Sequence, residues 1–250
     1  MKDAAAVKAV GFDRYFKAGS WEESNRAFFD GLAPKYDRLN VVISLGQQQR
    51  YKQAAVSSLN LKPGMRVLDI CTGSGDLFIE MTRQCRGLHL DAVDMSGEML
   101  RVAKERARRS NIHDISFYQA SALALPFEEH TFDAIAMGFG LRNLGDIPAG
   151  IKEMHRVLKP GGVFTTLDLG KPKAGLPRWL HHVYFDRLMP FLGRAVFHRH
   201  EFNSFEYLSR SSRYFPVENE IMAMMSGAGF RDVHGKSFML GGVAYQSGAK

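Results

Sequence analysis

From Trp21 to Leu59 apolar residues recur at helical spacing, interrupted at Pro34 and Gly46, which predicts two or three helices. The pattern then changes to short apolar runs that alternate with helical stretches. It predicts strand Arg66–Ile70, helix Asp76–Gln84, strand Leu88–Asp94, helix Gly97–Arg109, strands Ile115–Gln119 and Phe132–Met137, helix Ile147–Leu158 and strand Val163–Leu169. Strand and helix in alternation imply a parallel sheet covered on both faces. Lys159-Pro160-Gly161-Gly162 reads as a helix stop followed by a turn. The stretch from Lys171 to Ser211 breaks the alternation, being helical, aromatic and basic. Helix Val217–Gly227 and strands Phe230–Phe238 and Gly242–Gln246 follow it. The expected organisation is a helical cap over 1–60, an α/β core over 61–170, a helical lid or insertion over 171–211, and a final helix and strands over 212–250.

Composition narrows the class without changing that picture. With 250 residues, 45% hydrophobic and 24% charged, the chain can bury one large core, which excludes disordered and fibrous classes. The net charge of +7 permits an acidic partner or an anionic surface and decides nothing by itself. Cys71 and Cys85 are the only cysteines, too few for a disulfide scaffold and without metal-ligand spacing. Met1 to Gly11 lacks the apolar region of a signal peptide, and no run is long enough to span a membrane, so the expected place is the cytoplasm.

The first chemical motif is Val67-Leu68-Asp69-Ile70-Cys71-Thr72-Gly73-Ser74-Gly75-Asp76, a buried strand entering a Gly-x-Gly turn and a helix. Such strand ends bind ligands. A dinucleotide fits poorly, because its third glycine would fall at Phe78 and Asp76 would meet the pyrophosphate at the helix N-terminus. A nucleoside cofactor without phosphates fits better. Gly75 is expected to meet it through bare backbone, so that Gly75→Val abolishes binding in a folded protein. Asp94 ends the next strand nineteen residues after Gly75, where a carboxylate accepts both ribose hydroxyls in NAD and S-adenosylmethionine sites alike. Ser121-Ala122 and Gly138 fall where an adenine edge and the cofactor's amino-acid end are expected.

The Asp-x-x-x-Gly-x-Gly corner, Asp94, Ala124-Leu125-Pro126-Phe127, Thr131-Phe132-Asp133 and Arg156-Val157-Leu158-Lys159-Pro160-Gly161-Gly162 resemble a class I S-adenosylmethionine-dependent methyltransferase. More narrowly, Tyr36-Asp37-Arg38-Leu39-Asn40 with Ser44, Gly138-Phe139-Gly140-Leu141-Arg142-Asn143, Tyr207-Leu208, Phe215-Pro216, Ala228-Gly229-Phe230 and Gly241-Gly242-Val243-Ala244 resemble the UbiE/COQ5 (MenG) family, which C-methylates ubiquinone and menaquinone precursors. The similarity runs from about Phe28 to Gly248. It implies an α/β Rossmann-like fold with a seven-stranded sheet whose last strand is antiparallel. It also implies S-adenosyl-L-methionine held by Gly73, Ser74, Gly75, Asp94, Met95, Ser121, Ala122 and Gly138. The chain departs from the family at Gln48 and Tyr51, where His and Trp are usual, and at Asp168-Leu169-Gly170, where Glu-x-Ser is usual. Ser121 stands where many methyltransferases place an acid for the adenine amino group, so the serine hydroxyl or the Ala122 amide would have to serve.

Ring C-methylation requires an adjacent phenol to ionise, which near pH 7 costs about 4 kcal/mol for a phenolic pKa of about 10. One cation at ~4 Å in a partly shielded site contributes about as much. Arg142, on the loop leaving the fourth predicted core strand, is the candidate, with Asn143 orienting it or the substrate; the resemblance implies Tyr36 as proton acceptor, and His198 and His200 are alternatives. No metal ligand cluster is expected. Between Lys171 and His200 six Lys and Arg residues face one acid, Asp186, amid Trp179, Tyr184, Phe185, Phe191 and Phe197. That mixture suits a lid over an apolar substrate, contact with anionic lipid, or a packed helical cover. Nucleic acid is not expected, because no recognisable module accompanies the charge. The helix bearing Arg101, Lys104, Arg106, Arg108 and Arg109 reads as a solvated face.

The expected function is therefore methyl transfer to a ring carbon of a polyprenylated quinol precursor, a demethylmenaquinol or the ubiquinone-pathway benzoquinol, by a cytoplasmic enzyme peripheral to an anionic membrane. Methylation of another small apolar acceptor, or a non-catalytic scaffold in a quinone-biosynthesis complex, remain open, as does a homodimer.

Overall fold

In a computed structural model, the structure describes residues 21–33, 44, 46–172, 175, 183 and 215–250. Seven strands form one sheet in the order β3-β2-β1-β4-β5-β7-β6. They are β1 (Arg66–Ile70), β2 (His89–Asp94), β3 (Ile115–Gln119), β4 (Phe132–Gly138), β5 (Leu158–Leu169), β6 (Arg231–Phe238) and β7 (Val243–Ala249). β1 to β5 pair in parallel, and β7 enters antiparallel between β5 and β6. Among the described residues six α-helices accompany them: α1 (Trp21–Leu32), α2 (Gln48–Ser57), α3 (Asp76–Gln84), α4 (Gly97–Arg109), α5 (Ile147–Val157) and α6 (Glu218–Gly227). This is the expected α/β sheet. The predicted lid over 171–211 lies almost wholly outside the described residues, as do Tyr36, His198 and His200.

Successive strand residues point to opposite faces, and both faces of the central strands are apolar. Val67, Leu90, Ala92, Ala134 and Ala136 pack with α3 and α4, whereas Leu68, Ile70, Val93, Ile135 and Met137 pack with α5 and α6. Each buried side chain of this size contributes about 1.5–3 kcal/mol, which fixes which face each helix covers. The helices start where side chains can cap them: the Ser96 hydroxyl accepts the Met99 amide at 3.0 Å, and Asp146 accepts that of Ala149 at 3.0 Å ahead of Ile147-Pro148.

The predicted turn at Lys159–Gly162 is instead part of β5. Leu158 pairs with Phe132, and the register shifts before Ala134 meets Val163. A bulge absorbs the residues between, which is where a strand tolerates proline.

The departure at Gly170 has a steric cause. A Cβ there would lie 2.3 Å from the Gly241 carbonyl oxygen, and the Gly170 amide donates to Gly242 at 3.0 Å. Gly170→Ser, which would restore the family's usual residue, is expected to destabilise the protein by about 1–3 kcal/mol. A thermal melt checks this; an unchanged midpoint would show that the 239–242 turn yields at no cost.

Candidate functional site

The strand order reverses between β1 and β4, and in sheets of this kind ligands bind in the crevice beyond the carboxyl ends of the strands there. A cleft opens at that point. Its floor is Ile70, Cys71 and Gly73 after β1, Val93, Asp94 and Met95 at β2, and Gly138 to Gly140 after β4; Ala120, Ser121 and Ala122 close it beyond β3. Glu22 and Phe29 reach in from α1. Of the residues expected to hold a cofactor, Gly73, Asp94, Met95, Ser121, Ala122 and Gly138 line this cleft, and Asn143 joins them. Ser74 and Gly75 do not.

Asp94 is the polar centre. One carboxylate oxygen accepts the Gly73 amide at 2.8 Å and the other the Ser96 amide at 2.9 Å. Each oxygen keeps acceptor capacity toward the cleft. Burial pushes this carboxyl up to about 6, with Asp30 adding to the rise, while the two amides pull it down. The charged lining among the described residues is Glu22 and Asp94, with no cation. Among the charged groups of the described lining, a pyrophosphate would meet only carboxylates. A ribose diol and a sulfonium fit, since hydroxyls can donate to Asp94 and a positive charge is favoured beside two acids.

The glycine turn is held from beneath. Asp69 accepts the Thr72 hydroxyl at 2.6 Å and the Phe78 amide at 3.3 Å, and burial drives its carboxyl up to about 7 against those bonds. Arg106 donates to the Ser74 carbonyl at 2.9 Å and to its hydroxyl at 2.8 Å. Arg106 also meets Asp76 at 2.7 Å, and Lys52 meets the other Asp76 oxygen at 2.5 Å. Burial alone would raise the Asp76 carboxyl, yet Lys52 and Arg106 more than offset it and hold it below the usual carboxylate range. Arg106 is thus no solvated surface charge. Gly75 serves geometry: its φ of 91° is left-handed, and a Cβ would sit 2.2 Å from the Phe78 ring.

Cys71 and Phe139, both lining the cleft, adopt left-handed backbone at φ 54° and 55°. Such residues cost about 1–3 kcal/mol each and persist where the surroundings over-determine them. Burial keeps the Cys71 thiol protonated, well above its ordinary range. At Phe139 the amide donates to Leu167 at 2.6 Å, while Arg142 and Asn143 both donate to its carbonyl, at 3.0 and 3.1 Å.

Arg142 follows β4 as expected, but its side chain is buried against a carboxylate. Its side chain is 5% exposed and bonds Asp168 at 2.6 Å; its amide donates to the other Asp168 oxygen at 3.1 Å. It does not line the cleft. A guanidinium already paired with a carboxylate has much of its field cancelled, so the full 4 kcal/mol reckoned for a lone cation does not apply. Asp168, in place of the family's usual Glu, is the partner that holds it.

Helix α1 crosses the cleft mouth through side chains: Glu22 accepts the Ser121 hydroxyl at 2.9 Å, Asn25 donates to the Asn143 carbonyl at 3.0 Å, and Asp30 accepts the Ser96 hydroxyl at 2.5 Å. Sequence reading left Glu22 and Phe29 out because α1 precedes the strand–helix alternation and no local spacing ties it to the strand ends.

An expected result follows for Asp94. Asp94→Ala weakens S-adenosylhomocysteine binding by about 1–3 kcal/mol. In the native protein the ionised carboxylate is the form that accepts hydroxyls, so affinity falls as pH drops through about 6 and is level above it. Calorimetry across that range, with Asp94→Ala showing no such fall, checks both.

Comparison with known proteins agrees. The model of the ubiE/COQ5 methyltransferase family matches residues 17–250. The demethylmenaquinone methyltransferase of Lactiplantibacillus plantarum is 32% identical over 227 residues, 90% of this chain and 95% of that protein. The ubiquinone/menaquinone biosynthesis C-methyltransferase UbiE of Geotalea daltonii is 34% identical over 237 residues, 94% and 100% respectively. Among solved structures, a SAM-dependent methyltransferase from Aquifex aeolicus superposes with a TM-score of 0.59 at 19% identity, covering 85% of this chain and 96% of that one.

Proposed function

Since the chain belongs to the ubiE/COQ5 methyltransferase family, we propose that it transfers a methyl group from S-adenosyl-L-methionine to a ring carbon of a polyprenylated quinol, a demethylmenaquinol or the benzoquinol of the ubiquinone route. The observation that carries this reading is the Asp94 carboxylate, buried at the β2 tip with acceptor capacity toward a cleft lined by acids and no cation among the described residues. Asp94 takes the ribose hydroxyls, and Gly138, Phe139 and Asn143 stand at the donor's amino-acid end. S-adenosylmethionine supplies an electrophilic methyl group on its sulfonium. Most of the rate comes from holding that methyl and the ring carbon in line, since well-oriented reactants reach effective molarities of about 10⁵–10⁸ M.

Arg142 acts as a positioning residue. With Asn143 it fixes the Phe139 carbonyl, and so the wall against which the two substrates meet. Tyr36, which the family resemblance offers as proton acceptor, lies outside the described residues.

The acceptor's polyprenyl tail confines it to a bilayer. Among the described residues no helix is long and apolar enough to cross a membrane. We therefore read the enzyme as a cytoplasmic one that works at the membrane surface. The six Lys and Arg residues between Lys171 and His200 support this, each contributing about 1 kcal/mol near anionic lipid. The test incubates the protein with methyl-labelled S-adenosylmethionine and liposomes carrying reduced quinone precursors of both ring types. Label in the quinol fraction, greater from anionic than from neutral liposomes at low salt, is the expected result. No label in either ring type overturns the function, and equal transfer from both lipid surfaces overturns the surface reading alone.

A further inference from the structure

We propose that Glu22, reaching over from α1, accepts the hydrogen bond of the exocyclic amino group of the donor's adenine, a role for which Ser121 beyond β3 keeps only one uncharged acceptor position. The inference rests on reading the cleft as an S-adenosylmethionine site. With the ribose on Asp94, the base extends along the strand tips from β2 toward β3, between the apolar groups of Met95, Met99, Ala120 and Ala122. The polar groups at the far edge are the Ser121 hydroxyl and the Glu22 carboxylate, which both line the cleft.

The hydrogen-bond inventory decides between them. A hydroxyl has one proton and two acceptor positions. Ser121 spends its proton on Glu22 at 2.9 Å and one acceptor position on the Leu123 amide at 3.1 Å. A carboxylate has about four acceptor positions, and the Ser121 hydroxyl takes one. An amino donor entering here meets acceptor capacity chiefly on Glu22, and that acceptor is charged. Hydrogen bonds to charged groups are stronger than those between neutral pairs. Ser121 thus seats the carboxylate, and α1 provides across 99 positions of chain the acid that β3 lacks. The ties of Asn25 to Asn143 and of Asp30 to Ser96 hold the helix that presents it.

A carboxylate offers acceptors only, so it rejects a purine whose amino group is replaced by a carbonyl oxygen. S-adenosylhomocysteine and S-inosylhomocysteine differ in that exchange and in the proton that the inosyl base gains at N1. Calorimetry is run with both ligands on the wild type, Glu22→Gln and Ser121→Ala. The wild type binds the adenosyl ligand at least about tenfold more tightly. Glu22→Gln loses about tenfold for the adenosyl ligand and nothing for the inosyl one, because the amide can donate to the carbonyl, so the preference collapses. Ser121→Ala, which keeps the carboxylate, retains the preference with weaker binding of the adenosyl ligand. Glu22→Gln with the wild-type preference intact, or with both ligands weakened alike, overturns the assignment, since either marks a residue that only docks α1. A wild type that binds neither ligand instead overturns the reading of the cleft, and the inference with it.

Discussion

Gly75→Val yields strongly destabilised protein, in place of a stably folded one whose only defect is in donor binding. At φ 91° the backbone is in a region that side chains enter at about 1–2 kcal/mol, and β-branched ones at more. The added Cβ would lie 2.2 and 2.3 Å from two ring carbons of Phe78. That ring cannot step aside: it is fully buried in the core between the sheet, α3 and α4, edge-on to Phe117 with centroids 6.0 Å apart. Overpacking adds about 1–3 kcal/mol to the backbone cost. Together they remove a large share of the 5–15 kcal/mol that holds a typical domain. Soluble yield and circular dichroism provide the check. A folded variant with a normal melt and no ligand binding would restore the original reading of Gly75 as a contact.

The second large effect falls on the ion pair under the cleft. Arg142→Ala leaves Asp168, which is 2% exposed at its side chain, buried without its cation. Breaking such a pair from one side costs about 3–5 kcal/mol, or roughly 6–20 °C in melting temperature for a chain of this size. Asp168→Asn combined with Arg142→Met should recover much of that loss, because it removes both charges together. Arg142→Lys recovers part of the loss, because the bonds to Asp168 and to the Phe139 carbonyl both leave one guanidinium nitrogen, and an ammonium carries donors enough for both. Thermal melts of these variants decide it. If Arg142→Ala melts like the wild type while turnover collapses, the residue acts on the acceptor directly.

What could be read from the amino-acid order was what local physics dictates. β1, α3, α4 and β3 have the bounds expected of them, because capping residues and apolar periods mark their ends. The strand-tip residues of the cleft followed from topology, since any residue just past a parallel strand near the switch point faces the same crevice. What could not be read were contacts between distant segments. Arg106 has the same local setting as its basic neighbours on α4, and only its position opposite Asp76 and Ser74 distinguishes it. Glu22 had no local signal either. Gly75 and Ser74 carried the right motif yet do not line the cleft, because a glycine can be needed for the shape of a loop as readily as for what the loop touches.

The Asp76 cluster bears on how this lineage can vary. One carboxylate answers to Lys52 from α2 and Arg106 from α4, so the three positions are not equally free to drift. Losing either cation leaves the acid with the other, a change that later substitutions can follow. Losing the acid strands two partly buried cations in one step, with the Ser74 turn attached to one of them. Among descendants, then, positions 52 and 106 should wander before 76 does, and a homologue without an acid at 76 should have given up both cations beforehand.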